Sequence, residues 1–144
     1  MALQAYTQST TPVPYAQDSA IVFEMNNGNF SSCCPLVPHV PGGTTVTITR
    51  PGLYLVQYNG IAAATDTAGN ITTTLYNNGT AVPYASASGY SGSDTENVSL
   101  AFSTYVRVMP SCASVSNQAN LTVRSTGDDG SFYLNNLIVA RVSN

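Results

Sequence analysis

The sequence predicts an all-β chain folded as one antiparallel sandwich, and three observations carry that prediction. No segment of ten or more residues shows apolar spacing at three and four, so helix is nearly absent. Seven or eight short runs rich in β-branched and aromatic residues alternate with Gly- and Pro-containing turns, which is the layout of a sandwich. The 144 residues suffice for one domain with a substantial core and are too few for two ordinary ones.

Taken in order, the predicted strands begin with Ser19–Met25 (SAIVFEM) and Thr44–Thr49 (TTVTIT). Leu53–Ala62 (LYLVQYNGIA) follows Pro51-Gly52, where Pro sets φ and Gly takes the left-handed position of a turn. Asn70–Tyr76 (NITTTLY) and a short Thr80–Ala85 flank Asn77-Asn78-Gly79, a hairpin signal because Asn-Gly tolerates positive φ. Asn97–Val108, Ala119–Ser125 and Ser131–Val142 complete the set, separated by SGYSGSD and TGDDG turns. Residues 1–18, with Pro12 and Pro14, read as an extended N-terminal arm, leaving residues 19–144 as the globular head.

The composition narrows the function. Hydrophobic residues make up 43% of the chain and charged residues only 8%, against roughly 25% in an ordinary soluble domain. Lysine is absent, and Arg50, Arg107, Arg124 and Arg141 carry all the positive charge. A net charge of −3 leaves no cationic footprint for nucleic acid. High hydrophobicity with low charge argues against disorder, and no apolar run of 18 residues is available for membrane insertion. The N-terminus has neither a basic n-region nor an apolar h-region, so an intact start at Met1 without a secretory signal is expected.

Alternation along the strands points to an assembly. In Leu53–Tyr58, Leu53, Leu55 and Gln57 lie on one face and Tyr54, Val56 and Tyr58 on the other. In the last strand Leu137 and Val139 oppose Ile138, Ala140 and Val142. A sandwich sheet usually shows one face to water, so strands apolar on both faces require a second cover. Without helices, that cover is expected to be another subunit, with Tyr54, Val56, Tyr58, Ile138, Ala140 and Val142 at the interface.

The segments RPGLYLVQYNG, ITTTLYNNGTAVP, LAFSTYVRV and ANLTVRSTGDDGSFYLNNLIVARV together resemble the globular heads shared by complement-type and tumour-necrosis-factor-like proteins. The likeness spans Ala20 to Val142, and its most specific pieces are Pro51–Tyr54 and Leu75–Gly79. It is greatest to the bacterial and phage branch, which includes heads of collagen-like spore-surface glycoproteins and small phage structural proteins. The resemblance implies an antiparallel jelly-roll sandwich forming a compact homotrimer, with aromatic residues of one sheet near the threefold axis. No Gly-x-y repeat is present, so no triple-helical stalk is encoded.

Catalytic chemistry finds little support. His39, the sole histidine, sits in PLVPHVPGG without a nucleophile-elbow pattern, and reads as part of a rigid loop. Asp94 and Glu96 are near enough in sequence to pair, but they occupy a Gly/Ser-rich turn where acids act as turn formers. Asp128-Asp129-Gly130 reads as a hairpin turn in preference to a calcium site, since calcium wants six to eight oxygen ligands. Cys33, Cys34 and Cys112 are an odd set; reduced thiols are expected, with a bridge from Cys33 or Cys34 to Cys112 as the alternative. Asn29, Asn70, Asn78, Asn97 and Asn120 form sequons that a chain rich in Asn, Ser and Thr produces by composition. No enzyme, cofactor or metal is expected.

The expected function is that of a virion structural protein, a trimeric capsid decoration or head-fibre protein at the surface of a bacteriophage. Tyr6, Pro12, Pro14 and Tyr15 of the arm would dock on the capsid. The alternative is a trimeric head on a bacterial cell or spore surface, or a fibre tip, binding carbohydrate or a protein receptor. In a fibre tip the loops Ser86–Glu96 and Gly127–Ser131 would face the host.

Overall fold

The computed structural model describes residues 2–28, 37–110 and 118–143, and among these it contains ten strands and no helix. They are β1 (Ala2–Tyr15), β2 (Ser19–Ala20), β3 (Met25–Gly28), β4 (Val46–Ile48), β5 (Gly52–Ala64), β6 (Gly69–Asn77), β7 (Thr80–Ser91), β8 (Val98–Val108), β9 (Ala119–Ser125) and β10 (Gly130–Ser143). A front sheet runs β3-β1-β10-β5-β8, and a back sheet runs β2-β9-β6-β7 with β4 also paired to β9. Every pairing is antiparallel. Cys33, Cys34, Cys112 and the Asn29 sequon lie outside the described residues.

Local chemistry explains the clearest elements. β6 and β7 meet at a two-residue turn in which Asn78 has φ 51° and Gly79 φ 81°, the double positive φ of a type I′ hairpin. Gly52, with φ 151°, opens β5 against the Arg141 side chain, and a Cβ there would lie 2.7 Å from Arg141 Nε. Gly60 lies against the Tyr58 ring, and a Cβ at this position would overlap the Tyr58 hydroxyl. Four expected strands proved longer: Leu53–Ala62 runs from Gly52 to Ala64, Asn70–Tyr76 from Gly69 to Asn77, Thr80–Ala85 continues to Ser91, and Ser131–Val142 begins at Gly130 and ends at Ser143.

Two expectations are corrected. Residues 1–18 are not a separate arm, because Ala2–Tyr15 pairs along its length with β10, from Ala2 opposite Ala140 to Tyr15 opposite Gly130. The prolines are accommodated by a register shift between Gln8 and Val13, and only Leu3–Tyr6 is laddered to β3 on the other side. Ser19–Met25 is not one strand either. Ser19 and Ala20 pair with β9 in the back sheet, Phe23 bridges Gly43, and Met25 starts β3 in the front sheet. The chain crosses between sheets here, with Ile21 and Phe23 buried beneath the crossing.

The core lies between the two sheets. Tyr54, Val56, Tyr58, Leu137 and Val139 enter from the front, and Ile71, Leu75, Leu121 and Val123 from the back. Tyr58 is fully buried, stacks on Phe102 at 5.1 Å between ring centroids, and donates its hydroxyl to Asn135 Oδ1 at 2.6 Å. Burial raises its phenol far above the ordinary range.

Candidate interaction surfaces

Side-chain alternation assigns each strand one inward and one outward face, and pairing then assembles the outward faces into surfaces. On the front sheet one row runs Ala2, Ala140, Leu55, Tyr105 across β1, β10, β5 and β8. The next runs Asn27, Gln4, Ile138, Gln57, Ser103, and a third Met25, Tyr6, Asn136, Asn59, Ala101. These rows carry no charged side chain; Arg107 stands beyond them, opposite Leu53. Amides tie the strands together: Gln4 Nε2 donates to Asn136 Oδ1 at 2.7 Å, and Asn27 Nδ2 to Gln4 Oε1 at 3.4 Å. Leu55, Ile138 and Ala140 are only half-buried in the single chain, and Tyr105 and Val142 are exposed.

The expected interface set is therefore split between two faces. Ile138, Ala140 and Val142 lie on the outward front face, joined there by Tyr6, which had been assigned to an arm. Tyr54, Val56 and Tyr58 are fully buried inside the single chain, out of reach of any second subunit. Val56 lies opposite Val139 in the ladder, so the pair that faces Leu137 inward takes Tyr54 and Tyr58 with it. Leu55, on the other face of the same strand and outside the expected interface set, is the residue that turns outward.

The remaining arm residues are anchored in different ways. Tyr15 packs edge-on to Phe132 at 5.5 Å, and its hydroxyl accepts from Val22 N at 3.1 Å. Burial raises its phenol above the ordinary range. Pro14 is exposed opposite Ser131, and Pro12 lies within the register shift of β1.

The polar candidates are occupied by structure. Asp128 Oδ2 accepts from Asn70 N at 2.9 Å and Asp129 Oδ1 from Gln17 N at 3.1 Å, so both carboxylates hold backbone amides. Among the described residues no group of three or more His, Cys, Asp or Glu is placed to hold a metal. Glu96 Oε2 accepts from Gly92 N at 3.0 Å, closing its own turn. The His39 ring is buried edge-on to Phe23, with Nε2 3.0 Å from Gly43 O and Nδ1 against Asn26 Oδ1. Asn78 spends its side chain on Gln118 O and Asn120 N, each at 3.0 Å. The loops expected to face a host are shorter than predicted, since Ser86–Ser91 belongs to β7 and Gly130–Ser131 to β10.

The back sheet has a contrasting outward face. Asn70, Thr72, Thr74 and Tyr76 of β6 stand beside Ser86, Ser88 and Tyr90 of β7, and Arg124 of β9 stacks over the Tyr76 ring at 4.3 Å. Sequence reasoning passed over this surface, although the spacing of NITTT and ASASG was its signal.

No family model matches the sequence, and no curated protein matches it. Solved structures do resemble the fold. The Eiger TNF from S. frugiperda aligns over 100% of this chain and 93% of its own, with a TM-score of 0.68 at 13% identity. Murine APRIL covers 99% of this chain and 100% of its own, with a TM-score of 0.56 at 10% identity. The phage PRD1 vertex protein P5 covers 98% and 96%, with a TM-score of 0.55 at 14% identity. The fold is thus an all-β jelly roll of the tumour-necrosis-factor and complement-head kind.

Proposed function

We propose that this chain is a non-enzymatic structural protein that assembles as a homotrimer through its front face and stands on a bacteriophage virion as a capsid decoration or head-fibre protein. The observation that carries the reading is the front face itself, whose central rows hold aliphatic, aromatic and amide side chains with no charge. Such a face loses little by leaving water against identical copies, because no buried ion needs a partner. Leu55, Ile138, Ala140, Val142 and Tyr6 are its proposed contact residues. The likeness to PRD1 vertex protein P5 favours a virion over other settings. Pro12 and Pro14, on the stretch of β1 that is not laddered to β3, are the proposed capsid contacts.

Sedimentation equilibrium tests the assembly: a mass of three 15.1 kDa chains is expected, and a stable monomer overturns the reading. Antiserum against the purified protein should label phage particles in electron micrographs. Labelling confined to the bacterial or spore envelope would replace the virion with a cell-surface head.

A further inference from the structure

The back sheet carries a surface whose hydrogen bonding is directional. Ser86 Oγ donates to Thr73 O at 3.1 Å, so its single hydrogen is spent. In the Thr74–Ser86 pair, at 3.1 Å, Thr74 must then donate, and in the Thr74–Thr126 pair, at 2.9 Å, Thr126 must donate. The chain of three hydroxyls thus consumes every hydrogen it has and leaves lone pairs. The neighbouring Thr72–Ser88 pair, at 2.9 Å, shares one hydrogen and keeps one. The hydroxyl array itself therefore offers acceptors in excess of donors and holds no carboxylate.

Beside this array the strand presents two tyrosines to solvent. Tyr90, opposite Asn70, is 61% exposed, and Tyr84 is 99% exposed. Tyr84 lies where β7 carries extra residues between Ala81 and Ser86, and its φ is 63°. A bulge that holds a bulky side chain in the left-handed region re-aims that side chain, and such strain gathers at functional positions. Here it places an entire aromatic ring in water.

We propose that this face binds a neutral polysaccharide, with Tyr84 and Tyr90 stacking on the apolar faces of sugar rings and the Thr74 and Ser86 oxygens accepting from sugar hydroxyls. Sugars supply what the face lacks, uncharged O–H donors around an apolar ring, and an aromatic platform with a few placed polar groups is a general recognition surface. One chain contains the whole face, so this inference is independent of the trimeric reading.

Affinity electrophoresis of the intact protein tests it, in native gels containing dextran, hydroxyethylcellulose, galactomannan, xylan or mixed-linkage glucan. Retardation by at least one of these is expected. Tyr84→Ala and Tyr90→Ala should each weaken it by up to about tenfold, the scale of a lost aromatic contact. Thr74→Val should weaken it too, and Ser103→Ala on the front face should leave it unchanged. Unaltered circular dichroism of the exposed tyrosine variants excludes misfolding as the cause. No retardation in any gel, or retardation that survives both tyrosine substitutions, overturns the proposal.

Discussion

The two outward faces of this sandwich are both nearly free of charge, yet they are built from different side chains. The front face sets Leu55, Ile138 and Ala140 among amides, whereas the back face sets Thr72, Thr74, Ser86 and Ser88 in hydroxyl pairs. Aliphatic groups gain by leaving water and hydroxyls do not, so low charge serves association on one side and a hydrated surface on the other. The overall 8% charge does not separate these uses.

Introducing charge on each face is the most forceful way to break the comparison. Leu55→Glu would place like charges together in a trimer and should convert it wholly to a folded 15.1 kDa monomer, whereas Thr72→Glu should leave the mass unaltered. Equal dissociation by both, read by sedimentation, would remove the distinction between the faces.

Substitutions on β5 sharpen it further, because adjacent residues there serve different states. Tyr58→Ala should cost about 3–5 kcal/mol of chain stability in urea unfolding, as for other buried aromatic truncations. A Tyr58→Ala protein that remains stable but loses its oligomer would mean that the ring faces a partner.

The buried Tyr58 phenol also predicts a pH dependence. Its folded pKa is raised, so the proton is held more tightly in the folded state. The stabilising contribution is complete below the unfolded value near 10 and declines as pH rises beyond it. Thermal unfolding should therefore fall in midpoint above about pH 10, less steeply in Tyr58→Phe. That variant should also lose about 1–3 kcal/mol at neutral pH by leaving Asn135 Oδ1 unpaired. On the back face, Arg124→Ala removes only the contact over Tyr76, and a loss of about 0.5–1 kcal/mol is expected from denaturant titration.

Strands with period-two patterns and turns with their own chemistry were readable directly. Asn78-Gly79 specified its hairpin, and Ala119–Ser125 appeared with its predicted bounds. β1 was missed because Pro12 and Pro14 read as a linker, yet prolines are tolerated where a register shift and an unpaired edge remove the need for their N–H groups. Ser19–Met25 was joined wrongly because composition cannot reveal that a continuous apolar run changes sheets at Phe23.

The sequence by itself determined an all-β chain, its hairpin, its scarcity of charge and the division of β5 into two faces. Which of those faces turned inward was decided only by the tertiary structure. Alternation is a local property with two equivalent phases, and the phase is selected by pairing with β10, more than seventy residues away, where Val56 meets Val139. That long-range choice buried Tyr54 and Tyr58 and left Leu55 outward.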